Sequence, residues 1–217
     1  MNILELYEKY DIPPNLQTHM MMVAAVGSYI MDHWVGPKLT DRNELITALL
    51  LHDTGNIIKY DFKHNHLMGE EANRIDYWKR VQKDFIAKYG NDEHTATITI
   101  AKEVGVNSRT MELLNAIGSS KFESASRNPD WSKRIAPYAD LRVAPSGIVT
   151  VNERFDEINK RYQGRLHTLG NKDVVESRRK YCLEVEAQLQ TMLEIELLGL
   201  SEAVIKPFLH AISQHST

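Results

Sequence analysis

Apolar residues recur every three to four positions along most of the chain, the signature of helices that turn one face inward. Residues 3–10 make a short amphipathic segment. Pro13-Pro14 ends it and leaves Pro14 suited to the first turn of the next helix. That helix is predicted over 14–33, with Met20, Val23, Ala24, Val26, Ile30 and Met31 as its inward stripe and Gly36-Pro37 as its stop. Asp41 followed by Glu44 has the form of a capping box for a helix over 43–53. Residues 60–68 are polar and irregular. Helices are predicted over 70–89, 92–104 and 108–117, stopped by Gly90, Gly105 and Gly118, with Asn107 or Ser108 as the cap of the third. A helix over 131–143 must bend or restart at Pro137. Thr150 with Glu153 is a second capping-box pattern, ahead of a helix over 152–162. A long helix over 173–198 precedes a last one over 202–213, broken or kinked near Pro207. Strand patterns are weak: residues 95–100 alternate but lie inside a helix-sized segment, and only 147–151 resembles a short extended piece.

The fold class that follows is all-α. Residues 1–165 read as one helical domain, and 166–217 as a C-terminal helical extension that packs on it or forms a dimer surface. The 217 residues, 42% hydrophobic and 25% charged, are ample for a real core. A net charge of −3 provides no general attraction for nucleic acid or anionic membrane. Cys182 is the single cysteine, so an intrachain disulfide and a cysteine-based zinc site are both excluded; it reads as a small apolar residue on a helix. The N-terminus lacks a basic region followed by an apolar core, and the tract over 20–30 is too short to span a bilayer. A soluble cytoplasmic protein is expected.

The candidate chemistry begins at Leu49-Leu50-Leu51-His52-Asp53-Thr54-Gly55-Asn56, where an apolar run ends in imidazole next to carboxylate. Burying an unpaired carboxylate is costly, and a divalent metal satisfies both groups at once. The plainer alternative is a helix end whose Asp bonds backbone amides. Two more ionisable residues sit in apolar helical contexts, His19 and Asp140. Neighbours on a helix diverge by about 100°. His52 and Asp53 can therefore share one coordination sphere only near the helix end, with His19 and Asp140 as natural donors of the other corners.

In that order, His19, His52-Asp53 and Asp140 resemble the H…HD…D pattern of the HD-domain metal-dependent phosphohydrolases, over about residues 14–165. Ala139-Asp140-Leu141-Arg142-Val143, with Arg154 and Phe155 soon after, is similar to the family's presentation of its last aspartate. The resemblance implies a helical bundle with a divalent metal at its centre and hydrolysis of a phosphate ester, usually of a nucleotide or small metabolite, by a metal-activated water. It gives Asp53 the double role of ligand and hydrogen-bond acceptor for that water. A basic residue should hold the remaining phosphate oxygens. Lys59 is the first candidate and Arg142 the second; each could instead be an ordinary surface charge, Arg142 paired with a nearby carboxylate.

Two departures from the family pattern matter. Nucleotidase-like and alarmone-hydrolysing members carry a Glu three positions after the motif Asp, where this chain has Asn56, and an amide cannot take a proton from water. Members with two metals carry two further histidines. His94 resembles the first, but 117–121 holds no histidine for the second, so one metal is expected, with His94 facing substrate or donating a proton. The oxygenase chemistry of some relatives needs the dinuclear site. His64 and His66 lie in a loop that could cover the site, His33 ends a helix, and His167, His210 and His215 are expected to be solvated. Trp34, Tyr60, Phe62 and Trp78 could stack a base, with core packing as the default. The alternative function is a non-catalytic module of the same family that binds a nucleotide or a partner around a structural metal.

Overall fold

Two helices buried on almost every side organise the chain. The computed structural model describes residues 1–39, 41–161 and 172–217. Helix α2 (Pro14–Asp32) starts with Pro14 in its first turn, and six consecutive residues, Val23 to Ser28, are all buried. Helix α3 (Arg42–Leu51) is buried from Leu45 to Leu51. Such all-round burial is the mark of a central helix, whereas a surface helix shows a stripe. Gly27 permits the two to touch closely, since a Cβ there would lie 2.4 Å from Leu49 Cδ1. Around this pair stand α1 (Ile3–Lys9), α4 (Ile75–Tyr89), α5 (Glu93–Val104), α6 (Ser108–Leu114), α7 (Phe122–Arg127), α8 (Ser132–Leu141), α9 (Val151–Arg161), α10 (Lys172–Gln190) and α11 (Glu202–Ser213). The fold is all-α, with one short hairpin among the described residues, β1 (Val143–Ala144) antiparallel to β2 (Gly147–Ile148).

Local chemistry explains most of the boundaries. Asn2 and Glu5 form a reciprocal capping box on α1. Asp92 caps α5 by accepting from the Thr95 amide, and Gly105 ends it in the left-handed conformation at φ 83°. Asn107 caps α6, and Thr150 and Glu153 exchange hydrogen bonds ahead of α9. Several expectations are corrected. Asp41 makes no capping bond on α3, because its carboxylate accepts from Arg109 and Ser132 instead. The polar stretch after Tyr60 is wound into 3₁₀ turns over Phe62–Arg74, so α4 begins only at Ile75. Helix α6 stops at Leu114 and the short α7 follows. Helices α8 and α11 run through Pro137 and Pro207. Helix α10 ends at Gln190, after which Leu193 bridges to Trp34 and Val35 bonds the Met192 carbonyl.

The C-terminal helices are continuous with the rest of the core: α10 packs on α7, α8 and α9, and α11 on α2. Among the described residues, no helix is long and apolar enough to cross a membrane. Cys182 is fully buried on α10, and burial holds its thiol pKa well above the ordinary range, so it serves as a small apolar residue.

Candidate metal centre

The apolar run of α3 stays in the core to its last residue, Leu51. His52 is the C-cap, and the chain turns through Asp53, Thr54 and Gly55 into a 3₁₀ turn over Asn56–Lys59. Three fastenings hold this turn. Tyr7 on α1 donates its hydroxyl to the Leu50 carbonyl at 2.7 Å. Thr54 donates to the Leu51 carbonyl at 2.9 Å. Thr97 on α5 accepts from the Gly55 amide at 3.0 Å. Gly55 is required by close approach rather than by backbone angle: a Cβ there would sit 2.2 Å from the Glu93 carbonyl oxygen. The turn is thereby pressed against α5 and its two functional side chains are aimed at α2 and α8.

Those side chains meet His19 from α2 and Asp140 from α8. Ligand atoms of His19, His52 and Asp53 all lie within 4.8 Å of one another. Asp140 Oδ1 is 3.3 Å from Nε2 of both His19 and His52. Asp53 oxygens lie 3.8 Å from the same two nitrogens, and the imidazole centroids are 5.3 Å apart. His52 is nearly inaccessible, with 3% of its side chain exposed, whereas His19, Asp53 and Asp140 keep 20–24% and open to a cleft.

Donor chemistry fits a cation. His52 Nδ1–H donates to the Leu49 carbonyl at 2.7 Å, which leaves Nε2 as the atom facing the centre. That Nε2 is buried and, among the described residues, makes no well-directed hydrogen bond, its nearest acceptor being Asp140 Oδ1 at 3.3 Å. Burial works against charge on this imidazole, but Asp53 and Asp140 beside it raise its pKa to about 9. Burial would likewise raise the Asp140 carboxyl, yet the nearby His52 and a hydrogen bond with His19 hold it well below the usual carboxylate range. Both shifts have one physical cause: two carboxylates around two imidazoles demand positive charge between them, which a proton or a divalent ion can supply.

The cleft above this centre has a volume of about 910 Å³ and is walled by α2, the Asn56–Lys59 turn, the hairpin, α9, α10 and α11. Lys59 and Tyr60 line it, although Lys59 also pairs with Glu93 at 2.9 Å. Asn56 lines it too. Arg142 does not. It is buried to 1% exposure, donates from Nε to the Val149 carbonyl and from Nη1 to the Tyr138 hydroxyl and the Leu197 carbonyl, and lies near Glu186. Its expected role in substrate binding is corrected: the side chain is buried away from the cleft, and Nε and Nη1 tie α8, the hairpin and the α10–α11 connection together. His94 is exposed, bonds Asn115 at 3.0 Å and is not among the cleft-lining residues, so the arrangement gives it no catalytic position.

Other polar residues settle as follows. His33 Nδ1 bonds the Tyr29 carbonyl at the end of α2. His215, expected to be solvated, is half-buried and bonds Thr47 at 2.8 Å. The side chains of His64 and His66, and all of His167, lie outside the described residues. Trp34 packs edge-on against Trp131, and Trp78 is buried with its ring N–H on Glu71, so neither serves the cleft. Sequence reasoning missed Tyr7 and Thr97 as positioning residues and Arg178 as a cleft residue. A Tyr or Thr on a remote helix carries no local signal of such a role. Comparison with protein-family models, with curated proteins and with solved structures finds no match to this chain.

Proposed function

We propose that the chain is a metal-dependent phosphohydrolase of the HD type, acting on a nucleotide or another small phosphorylated molecule. The observation that carries this reading is the convergence of His19, His52 and Asp53, with Asp140 Oδ1 3.3 Å from both imidazole Nε2 atoms and the buried Nε2 of His52 making no well-directed hydrogen bond among the described residues. His19, His52, Asp53 and Asp140 would hold one divalent ion. When bound, that ion would polarise a phosphoryl oxygen and make a water acidic enough to attack at neutral pH. Asp53, partly open to the cleft, accepts a hydrogen bond from the attacking water and orients it. His52 is held by Leu49 and cannot rotate away. The apolar stretch of the cleft wall, including Met22, Phe122 and Phe155, suits the organic part of the substrate and excludes bulk water from it.

The test is phosphate release from a panel of nucleotides and phosphorylated metabolites, with Mn²⁺, Mg²⁺, Co²⁺ or Ni²⁺ added in turn and Asp53→Ala run alongside. Metal-dependent turnover that disappears in the variant is expected. A wild type that binds no divalent ion, judged by an unchanged melting temperature at millimolar metal, would sink the reading.

A second reading is favoured by Asn56, which lines the cleft and cannot accept a proton from water. In this reading the chain is a binding module that uses the same cleft and metal without turnover. Ligand-dependent stabilisation with no product formed would select it.

A further inference from the structure

The metal centre answers for one end of a phosphate ester, and the opposite wall of the cleft carries two arginines that the contacts among the described residues satisfy only in part. Arg154 on α9 and Arg178 on α10 both line the cleft. Arg154 is 16% exposed; its Nη1 pairs with Glu157 at 2.6 Å, but its Nε is buried and has no hydrogen-bond partner among the described residues. A buried N–H of a guanidinium left unmatched is costly unless a ligand completes it. Arg178 is half-buried and makes no ion pair among the described residues. Its neighbour Arg179 explains its direction. Arg179 is directed at α9, pairing with Asp156 at 2.7 Å with its guanidinium 5.6 Å from the centre of the Phe155 ring, although its Nε too has no hydrogen-bond partner among the described residues. Residues one apart on a helix point about 100° apart, so fixing Arg179 against α9 turns Arg178 toward the cleft. Glu202 shares the wall but pairs with neither arginine among the described residues. Lys59 is already engaged by Glu93.

We infer that Arg154 and Arg178 form the anion seat of this cleft, with Arg154 Nε donating to an oxygen of the bound phosphate ester and Arg178 closing on it from α10. The inference rests on the phosphoester reading for the identity of the anion. It gives these two residues the phosphate-holding role that the sequence assigned to Lys59 and Arg142. Guanidinium suits it because its planar fork meets two oxygens of a tetrahedral anion at once.

Calorimetric titration of the full chain with inorganic phosphate, in the presence of a chelator, isolates the seat from any metal. Arg154→Gln and Arg178→Gln should each weaken phosphate binding about tenfold, the loss expected for one charge-assisted hydrogen bond. Arg154→Lys should recover part of it. Arg127→Gln, which removes an exposed arginine on α7 away from the cleft, should change nothing. Arg178→Gln removes no described contact, so it reports even if Arg154→Gln folds poorly. Phosphate affinity equal to wild type in both glutamine variants overturns the seat, and so does a wild type that binds no phosphate. The two ideas fail separately. Metal-dependent turnover with an unaltered KM in both variants would leave the hydrolase and remove the seat. Arginine-dependent phosphate binding without turnover on any substrate would leave the seat and remove the hydrolase.

Discussion

Arg142 follows Asp140 by two positions on the same apolar helix end, which made it a plausible phosphate ligand, and its surroundings decide otherwise. A guanidinium buried to this degree needs acceptors, and Val149, Tyr138 and Leu197 supply them to Nε and Nη1 from three parts of the chain. Arg142→Lys keeps the charge but cannot span three acceptors, so it should lower stability by roughly 2 kcal/mol in urea denaturation. Phosphate binding should stay within error of wild type, because the side chain does not reach the cleft. A fall in phosphate affinity with unchanged stability would restore its binding role. The four candidate ligands were legible because each sits as an ionisable residue within apolar helical sequence, in an order that resembles a known pattern. Arg142 has the same local appearance. Its burial is made by Leu197, far along the chain, and by a hairpin too short to leave a periodic trace.

Helices α2 and α3 and the turn that follows show how the elements hold the centre. The existence of α2 was readable from its apolar stripe and from Pro14 in its first turn, and that of α6 from the cap at Asn107. The ends that depend on partners were not. Asp41 looked like a cap until Arg109 and Ser132 took its carboxylate, and α10 stops at Gln190 because the chain there pairs with Trp34 and Val35, not because a breaker residue intervenes. Helix α7 has only six residues, too few for a period to register. The contact of the His52-Asp53 turn with α5 was equally hidden, since a Gly after an HD pair reads as a helix stop. Its φ of −87° is open to any residue, so what Gly55 supplies is space. Gly55→Ala would drive a methyl into the Glu93 carbonyl and the Thr97 amide, both backbone and unable to step aside. The expected result is a loss of about 2 kcal/mol or more, with weakened metal binding because the turn must back away from α2 and α8. Equal stability, together with an unchanged metal-induced rise in melting temperature, would show that the turn does not depend on this contact.

The C-terminal segment closes the molecule on its central helix. Ser216 bridges to Asn2, the Ile3 amide bonds the His215 carbonyl, and the His215 imidazole reaches Thr47 on α3. Thr47 gives its own proton to the Asn43 carbonyl, so its oxygen must accept from His215 Nε2–H. A neutral ring with its proton on Nε2 satisfies this bond, and burial opposes a second proton, so the folded-state pKa is lowered from the ordinary value. The unfolded chain has no such restraint and titrates near 6.5. Above that pH both states are neutral and the contribution of this residue is fully present. Below it the unfolded chain takes up the proton first, and stability is lost as pH falls toward the lowered folded value. His215→Gln can still donate to Thr47 and does not titrate in this range. In urea denaturation the wild type should therefore lose more stability than the variant between about pH 7 and pH 5, the curves meeting on the neutral side. Parallel curves across that interval would mean that His215 titrates alike in both states and that the segment is held by Asn2 and Ile3 alone.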